Sequence, residues 1–256
     1  MKLFLNTLFG LFGYHVSRSG TATDVHSTEP PNPQHLWETD PGFQTLYAEI
    51  KHRTLVDVMR CHILYQLSQQ VATLPGLAAE IGVYQGGTAR LLAKALARTG
   101  SSLHLFDTFA GMPETDAEKD WHKAGDFADT SLASVQAFLA DCHDVQFHPG
   151  FFPQTVTPEL AQSEFRFIHV DVDIFSSVTD CCVFFYPRMP AGGIMIFDDY
   201  GFLTCPGAKE AVDAFFADRP EQPCYLPTGQ AVVIRLGDYS PAINGGASTG
   251  GWLKDP

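Results

Sequence analysis

The amino-acid sequence predicts an α/β protein with a doubly wound, mostly parallel sheet and flanking helices. Three observations carry that prediction. From Leu77 to Ala217, short apolar runs of strand length alternate with helix-patterned stretches, as expected of strands joined by helical crossovers. Glycines and carboxylates gather just after those runs, where an open parallel sheet binds its ligands. At 256 residues, with no internal repeat, the chain is near the upper size for one hydrophobic core, so one domain with terminal appendages is expected.

Residues 1–41 read as an apolar segment (Leu3, Phe4, Leu5, Leu8, Phe9, Leu11, Phe12) followed by a Pro-rich arm containing Pro30, Pro31 and Pro33. Only Lys2 charges the start, and Asn6 and Thr7 interrupt the apolar run. It is therefore neither a regular secretory signal nor long enough for stable membrane insertion, and an interfacial or partner-docking helix is the alternative. From Gly42, the three- and four-residue spacing of Phe43, Leu46, Tyr47 and Ile50, then Leu55, Val58, Met59, Ile63, Leu64, Leu67 and Val71, predicts helices that end at Pro75-Gly76. This stretch, residues 42–75, is expected to act as a helical lid, with Tyr47 and Thr54 as contacts.

Strands are expected at Leu77–Gly82, Leu103–Asp107, Asp144–His148, Phe165–Asp173 and Gly193–Phe197. Helices are expected at Thr88–Arg98, Ser131–Asp141, Val178–Tyr186 and Ala208–Ala217. Cys224–Leu226 and Ala231–Leu236 form a closing hairpin. The domain then spans residues 42–236, and residues 237–256, rich in Gly, Ser and Asn, form a loosely ordered tail.

With 16 Lys+Arg against 29 Asp+Glu, the formal charge is −13, which argues against a nucleic-acid partner. The six cysteines include no Cys-x-x-Cys pair and read as buried thiols of a reducing compartment, so a cytoplasmic location is expected.

Two clusters carry chemistry. The first begins at Glu80-Ile81-Gly82-Val83-Tyr84-Gln85-Gly86-Gly87-Thr88, after the first strand and at the start of a helix. Glycine lets backbone approach a ligand, and free N–H groups at a helix start attract a carboxylate. Glu80 offers an anion to an ammonium group and would repel a pyrophosphate. Asp107 ends the second strand, a position suited to holding ribose hydroxyls; its plainer role is to cap the following turn. The loop from Thr108 and Phe109 to Pro113, and the turn Gly150-Phe151-Phe152 after the third strand, add apolar walls, although those aromatics also suit simple core packing. Together these groups suit S-adenosylmethionine, with its amino-acid end, ribose and adenine.

The second cluster is acidic. Asp171 and Asp173 share one side of a regular strand, and Asp198-Asp199 follow the next strand. If the two strand ends are neighbours, four carboxylates converge, and a hard divalent cation such as Mg²⁺ relieves their repulsion. His169 lies deeper and reads as a satisfied core histidine rather than a ligand. His62, His104, His122, His143 and His148 show no partner spacing, and Arg188 is the one basic side chain between Asp171 and Tyr200.

These residues resemble the macrocin-type (TylF-like) O-methyltransferases, which methylate sugar hydroxyls of natural products. The shared pattern runs through Glu80-x-Gly82-x-x-x-Gly86-Gly87, Phe106-Asp107-Thr108-Phe109-x-Gly111-Met112-Pro113, Gly150-x-Phe152, Asp171-x-Asp173, Pro190-x-Gly192-Gly193 and Asp198-Asp199-Tyr200, within roughly Phe43 to Leu236. The resemblance implies a class I methyltransferase fold (Rossmann-like), S-adenosylmethionine as donor and Mg²⁺ as metal. It implies Asp171, Asp198 and Asp199 as metal ligands and Asp173 as the general base; the residues alone leave open which of Asp171 and Asp173 takes the proton. The expected donor site comprises Glu80, Gly82, Tyr84, Gly86, Gly87, Thr88, Asp107, Thr108, Phe109, Gly150, Phe152 and Asp171. Val172 and Ile174-Phe175-Ser176 depart from the family pattern, so the acceptor is not copied from the antibiotic enzymes.

The expected partner is a small-molecule hydroxyl acceptor, a sugar or another diol, and self-association into a homo-oligomer is left open. The competing readings are a methyltransferase for a catechol or other phenolic diol, a metal-dependent phosphate-ester hydrolase, and a binding protein that holds the donor without turnover.

Overall fold

The computed structural model describes residues 33–237 apart from Arg98. The apolar segment at residues 1–16, most of the Pro-rich arm and the tail beyond Gly237 lie outside the described residues. The strands are β1 (Leu77–Ile81), β2 (Leu103–Asp107), β3 (Val145–Pro149), β4 (Phe165–Val170), β5 (Ile194–Phe197), β6 (Cys224–Tyr225) and β7 (Ala231–Ile234). The helices are α1 (Pro41–Ile50), α2 (Val58–Gln70), α3 (Gly87–Leu96), α4 (Leu132–Phe138), α5 (Phe175–Phe185) and α6 (Pro206–Phe216).

The strands form one sheet in the order β3-β2-β1-β4-β5-β7-β6. Pairings among β1 to β5 are parallel, while β7 runs antiparallel to both β5 and β6. Strand order reverses between β1 and β4. Connections there depart to opposite faces and leave a crevice at the carboxyl ends of the strands.

Side-chain alternation divides the core in two. On one face Ala78, Leu105, Phe167 and Ile196 pack with Phe43, Cys61, Leu64, Leu91 and Val135 from the helices α1 to α4. On the other, Ala79, Phe106, Ile168 and Phe197 pack with Val178, Phe185, Val212 and Phe216 from α5 and α6. Strands covered on both faces read as near-continuous apolar runs, which is why they were legible. Among the described residues no helix is long and apolar enough to cross a membrane.

Several boundaries differ from the sequence expectation. The expected helices are two, the second starting where Asp57 caps the N–H groups of Met59 and Arg60 at 2.9 and 3.1 Å, and they end at Gln70 rather than at Pro75-Gly76. Both helices contribute to the core, and Thr54, Leu55, Val56 and Arg60 are the part of residues 42–75 that borders the cavity described below. Strand β4 stops at Val170 rather than Asp173. The Asp171 N–H still donates to the Ile81 carbonyl at 2.9 Å, but Asp173 adopts φ +58° and the chain turns. Helix α5 starts three residues early because Asp120 accepts from the Phe175 N–H at 2.9 Å. The expectation of six buried thiols is corrected: Cys61, Cys181, Cys182 and Cys205 are buried, Cys142 is half-buried and Cys224 is exposed on the short edge strand β6.

Gly82 marks the closest approach of the two central strand ends. Its φ is +86°, and a Cβ there would sit 1.7 Å from the Asp171 carbonyl oxygen. Gly82→Ala is expected to cost about 3 kcal/mol or more of unfolding free energy, read from urea denaturation, because backbone strain and a backbone clash coincide. A variant of unchanged midpoint would show that the strand ends are not this close.

Candidate active site

A cavity of about 300 Å³ opens over the carboxyl ends of the central strands. It is lined by Gly82, Val83 and Tyr84 after β1, Asp107 and Thr108 at the end of β2, Gly150 and Phe152 after β3, Asp171 and Asp173 after β4, and Asp199 after β5. The two clusters anticipated from sequence therefore share one cavity at the switch point.

In the first cluster, Asp107 organises the loops around itself. Its Oδ2 accepts from the Val83 and Tyr84 N–H groups at 2.6 and 2.9 Å, and its Oδ1 accepts from the Phe109 N–H at 2.6 Å. It thus caps its turn as well as lining the cavity. Tyr84, at φ +50°, donates its hydroxyl to Asp129 at 2.6 Å; burial and that carboxylate push the phenol up to about 12. Thr88 lines the cavity, but Gly86 and Gly87 do not. A Cβ on Gly86 would meet Val135 at 2.9 Å, and one on Gly87 would meet the Arg53 carbonyl at 2.7 Å, so both glycines admit close packing around α3. The Gly87 N–H is itself taken by the Arg53 carbonyl at 3.0 Å. Phe109 is buried in the helix-covered core beside Phe147 rather than on the cavity wall. Glu80 also lies off the wall: it is fully buried and accepts from His169 Nδ1 at 2.9 Å.

In the second cluster, Asp171, Asp198 and Asp199 each bring one carboxylate oxygen within 4.8 Å of the others. Asp198 is the anchor. Arg60 donates to its Oδ2, Gln230 donates to its Oδ1 at 2.8 Å, and His169 Nε2 stands 3.6 Å from Oδ1, within ion-pair range but beyond a hydrogen bond. Burial opposes a charge on His169, but Asp198, Glu80 and Asp171 outweigh it and push the imidazole up to about 10. Burial likewise opposes charge on Asp198, yet His169, Arg60 and Gln230 hold it below the usual carboxylate value. Asp171 and Asp199 lack such partners, so burial and neighbouring carboxylates push both well above it.

An all-oxygen, carboxylate-rich donor set of this spacing suits a hard divalent cation, which would relieve the repulsion on Asp171 and Asp199. The residues therefore fit Mg²⁺, with the Arg60 guanidinium as the competing positive charge at Asp198. The cavity fits a nucleoside-bearing donor through the loops around Asp107.

Arg60 is the residue that sequence reasoning missed. It lies 138 positions from Asp198, and no local spacing marks it. Its other N–H groups go to Asp57 at 2.8 Å and the Leu55 carbonyl at 3.1 Å, and its guanidinium stacks on Phe202. The phosphate-hydrolase reading needed a free basic group here, and each of the three Arg60 nitrogens already has a partner. Arg188 donates to the Ala161 and Phe184 carbonyls and does not line the cavity. His122, to which sequence spacing gave no partner, and Cys205, read only as a buried thiol, meet here: Asp173 Oδ1 lies 3.4 Å from Cys205 Sγ and 3.6 Å from His122 Nε2. His104 and His148 pair at 2.9 Å on β2 and β3, and neither lines the cavity.

Sheet order, cavity and donor loops together define a class I methyltransferase fold, which solved structures share. The O-methyltransferase NovP is 25% identical with a TM-score of 0.63, covering 72% of this chain and 82% of that one. The calicheamicin methyltransferase CalS11 matches in fold at 20% identity and a TM-score of 0.61, over 87% of this chain and 100% of that one. The profile of the macrocin O-methyltransferase (TylF) family matches residues 50–222, more than half the chain, and the chain belongs to that family. It is an S-adenosylmethionine-dependent O-methyltransferase. Its relatives include the mycinamicin III 3''-O-methyltransferase of Micromonospora griseorubida, 30% identical over 66% of this chain and 72% of that protein. Another is the 8-demethyl-8-(2,3-dimethoxy-alpha-L-rhamnosyl)-tetracenomycin-C 4'-O-methyltransferase of Streptomyces olivaceus, 31% identical over 73% of this chain and 74% of that protein.

Two outcomes test the electrostatics. Arg60→Ala strips a buried carboxylate of its partner and is expected to cost about 3–5 kcal/mol in urea unfolding, whereas an exposed pair would cost under about 1 kcal/mol. In chelator, stability is expected to fall as pH rises from 6.5 towards about 10, because folded His169 keeps a proton that the unfolded chain has lost. The raised Asp171 and Asp199 act in the same direction, starting above 3.8. Unfolding midpoints across that interval check the sign, and His169→Gln should flatten the decline.

Proposed function

We propose that this enzyme methylates a hydroxyl of a sugar or of a glycosylated small molecule, with Mg²⁺ held by Asp171, Asp198 and Asp199 and with Asp173 accepting the hydroxyl proton. A cytoplasmic location belongs to the same reading. Two relatives, named as methyltransferases for mycinamicin III and for a rhamnosyl tetracenomycin, support the acceptor class. The observation that carries the mechanism is the convergence of three carboxylate oxygens within 4.8 Å, of which Asp171 and Asp199 line the cavity beside Asp173 while Asp198 lies fully buried behind them.

When bound, S-adenosylmethionine supplies an electrophilic methyl group. When bound, Mg²⁺ supplies positive charge that lowers the cost of deprotonating a hydroxyl. The remaining work falls to the chain. The loops around Asp107 and Tyr84, with Thr88, Thr108, Gly150 and Phe152, shape the donor half of the cavity. Gly86, Gly87 and Phe109 serve that half by packing rather than contact, and Glu80 serves it by holding His169. Asp173 faces the same cavity, with its backbone N–H fixed by Asp199 at 3.0 Å. Burial raises its proton affinity above that of an ordinary carboxylate, as suits a group that takes a proton. Leu55, Met112, Phe151, Val172 and Phe202 line the cavity with apolar surface against which an acceptor packs. Val172, which departs from the family pattern, is part of this wall.

Asp173→Asn is expected to lower kcat by about 10²- to 10⁴-fold while calorimetric affinity for S-adenosylmethionine is retained. Wild-type turnover should vanish in excess chelator and return with Mg²⁺. Full turnover in chelator would remove the cation from the mechanism, and full turnover by Asp173→Asn would remove the base.

A further inference from the structure

We propose that His122, Asp173 and Cys205 form a second metal site, specific for a thiophilic divalent cation of the Zn²⁺ class, with one coordination position open to the cavity. The three side chains come from separate parts of the chain: the loop between β2 and α4, the turn after β4, and the start of α6. Their ligand atoms form a nearly equilateral triangle. Cys205 Sγ is 3.4 Å from Asp173 Oδ1 and 3.7 Å from His122 Nε2, and the two remaining atoms are 3.6 Å apart. Bond lengths of about 2.0–2.3 Å at tetrahedral angles place zinc ligands roughly 3.3–3.6 Å from one another. The triangle is thus close to one face of a zinc tetrahedron before any side chain moves.

Donor chemistry separates this site from the carboxylate set. Sulfur, imidazole nitrogen and one carboxylate suit Zn²⁺ or Co²⁺, whereas Mg²⁺ takes oxygen. The surroundings are arranged as a metal-binding imidazole requires. His122 Nδ1 faces Asp126 Oδ2 at 3.4 Å, which orients Nε2 towards Cys205 and Asp173. Asp126 is itself fixed by the Lys123 N–H at 3.0 Å. The loop is pinned by buried Asp120, which accepts from the Phe175 N–H at 2.9 Å and the Asp116 N–H at 3.0 Å. Gly207 lets α6 approach that anchor, since a Cβ there would fall 2.2 Å from Asp120 Oδ1. His122, Asp173 and Cys205 all line the cavity, so the fourth position is reachable. Without a metal the Cys205 thiol donates to Asp173; binding replaces that proton, which passes to solvent, with a sulfur–metal bond and involves no redox change.

A consequence follows that rests on the proposed function. Asp173 as a metal ligand cannot accept the acceptor's proton, so filling this site switches methyl transfer off.

The test is a Co²⁺ titration of the full chain in excess Mg²⁺. A thiolate-to-cobalt charge-transfer band should saturate at one equivalent and be displaced by Zn²⁺. It should be absent in Cys205→Ser, weakened in His122→Gln and retained in Asp198→Asn, with far-UV circular dichroism confirming the fold of each. Asp126→Ala should weaken Co²⁺ binding about 10- to 100-fold. No band in the wild type, or one that survives Cys205→Ser, overturns the site. If Cys205→Ser does not fold, a band unchanged in His122→Gln overturns it equally. Turnover is read separately: one equivalent of Zn²⁺ should abolish wild-type activity but spare whatever rate Cys205→Ser shows without zinc. Failure of that arm with the band intact discards the inhibitory role and Asp173 as base, not the site.

Discussion

Four ionisable side chains run in a buried chain from Glu80 through His169 and Asp198 to Arg60. Two are acidic and two basic, and the two signs alternate along it. It joins neighbouring strands β1 and β4, where Glu80 and His169 are in register, to the carboxyl end of β5 and to α2. Buried pairs of this kind contribute little net stability, but removing one member is costly. Their effect here is positional: Asp198 is held between Arg60, Gln230 and His169, which keep its carboxyl below the usual carboxylate value. Asp171 and Asp199, packed near it without a basic side chain hydrogen-bonded to either, then carry the unbalanced acidity of the cavity. On the proposed function, a divalent cation would relieve that imbalance.

Much of the fold was legible because the sheet is covered on both faces. Each central strand reads as an apolar run, each crossover as an amphipathic helix, and the switch point follows from their order. Of the site, Asp107 and the two acidic pairs were visible because strand ends place them locally. The remainder depended on contacts that sequence spacing does not encode. Arg60 reaches Asp198 across 138 residues. His122 reaches Asp173 only because Asp120 ties its loop to α5. The face-sharing argument for Asp171 and Asp173 assumed a regular strand; the left-handed turn at Asp173 instead directs that carboxylate towards Cys205. Glu80 illustrates the reverse case, where the right residue was singled out but its carboxylate is committed to His169.

The cavity therefore holds two neighbouring donor sets of contrasting hardness. One is all carboxylate and built on a rigid ionic chain. The other mixes sulfur, nitrogen and oxygen and hangs on a pinned loop. The Asp173 backbone N–H donates to Asp199 while its carboxylate faces Cys205, so a single residue bridges the two. Catalysis and control by metal identity would then meet at the group assigned to take the proton.

The central claim is that strand-end carboxylates hold one hard cation next to the donor cavity. The most direct measurement is a crystal structure with S-adenosylhomocysteine and Mn²⁺, using anomalous scattering to locate the metal. One peak coordinated by Asp171, Asp198 and Asp199, with the nucleoside against Asp107, is the predicted result. An Asp198 still paired only with Arg60, and manganese absent or bound elsewhere, would contradict it.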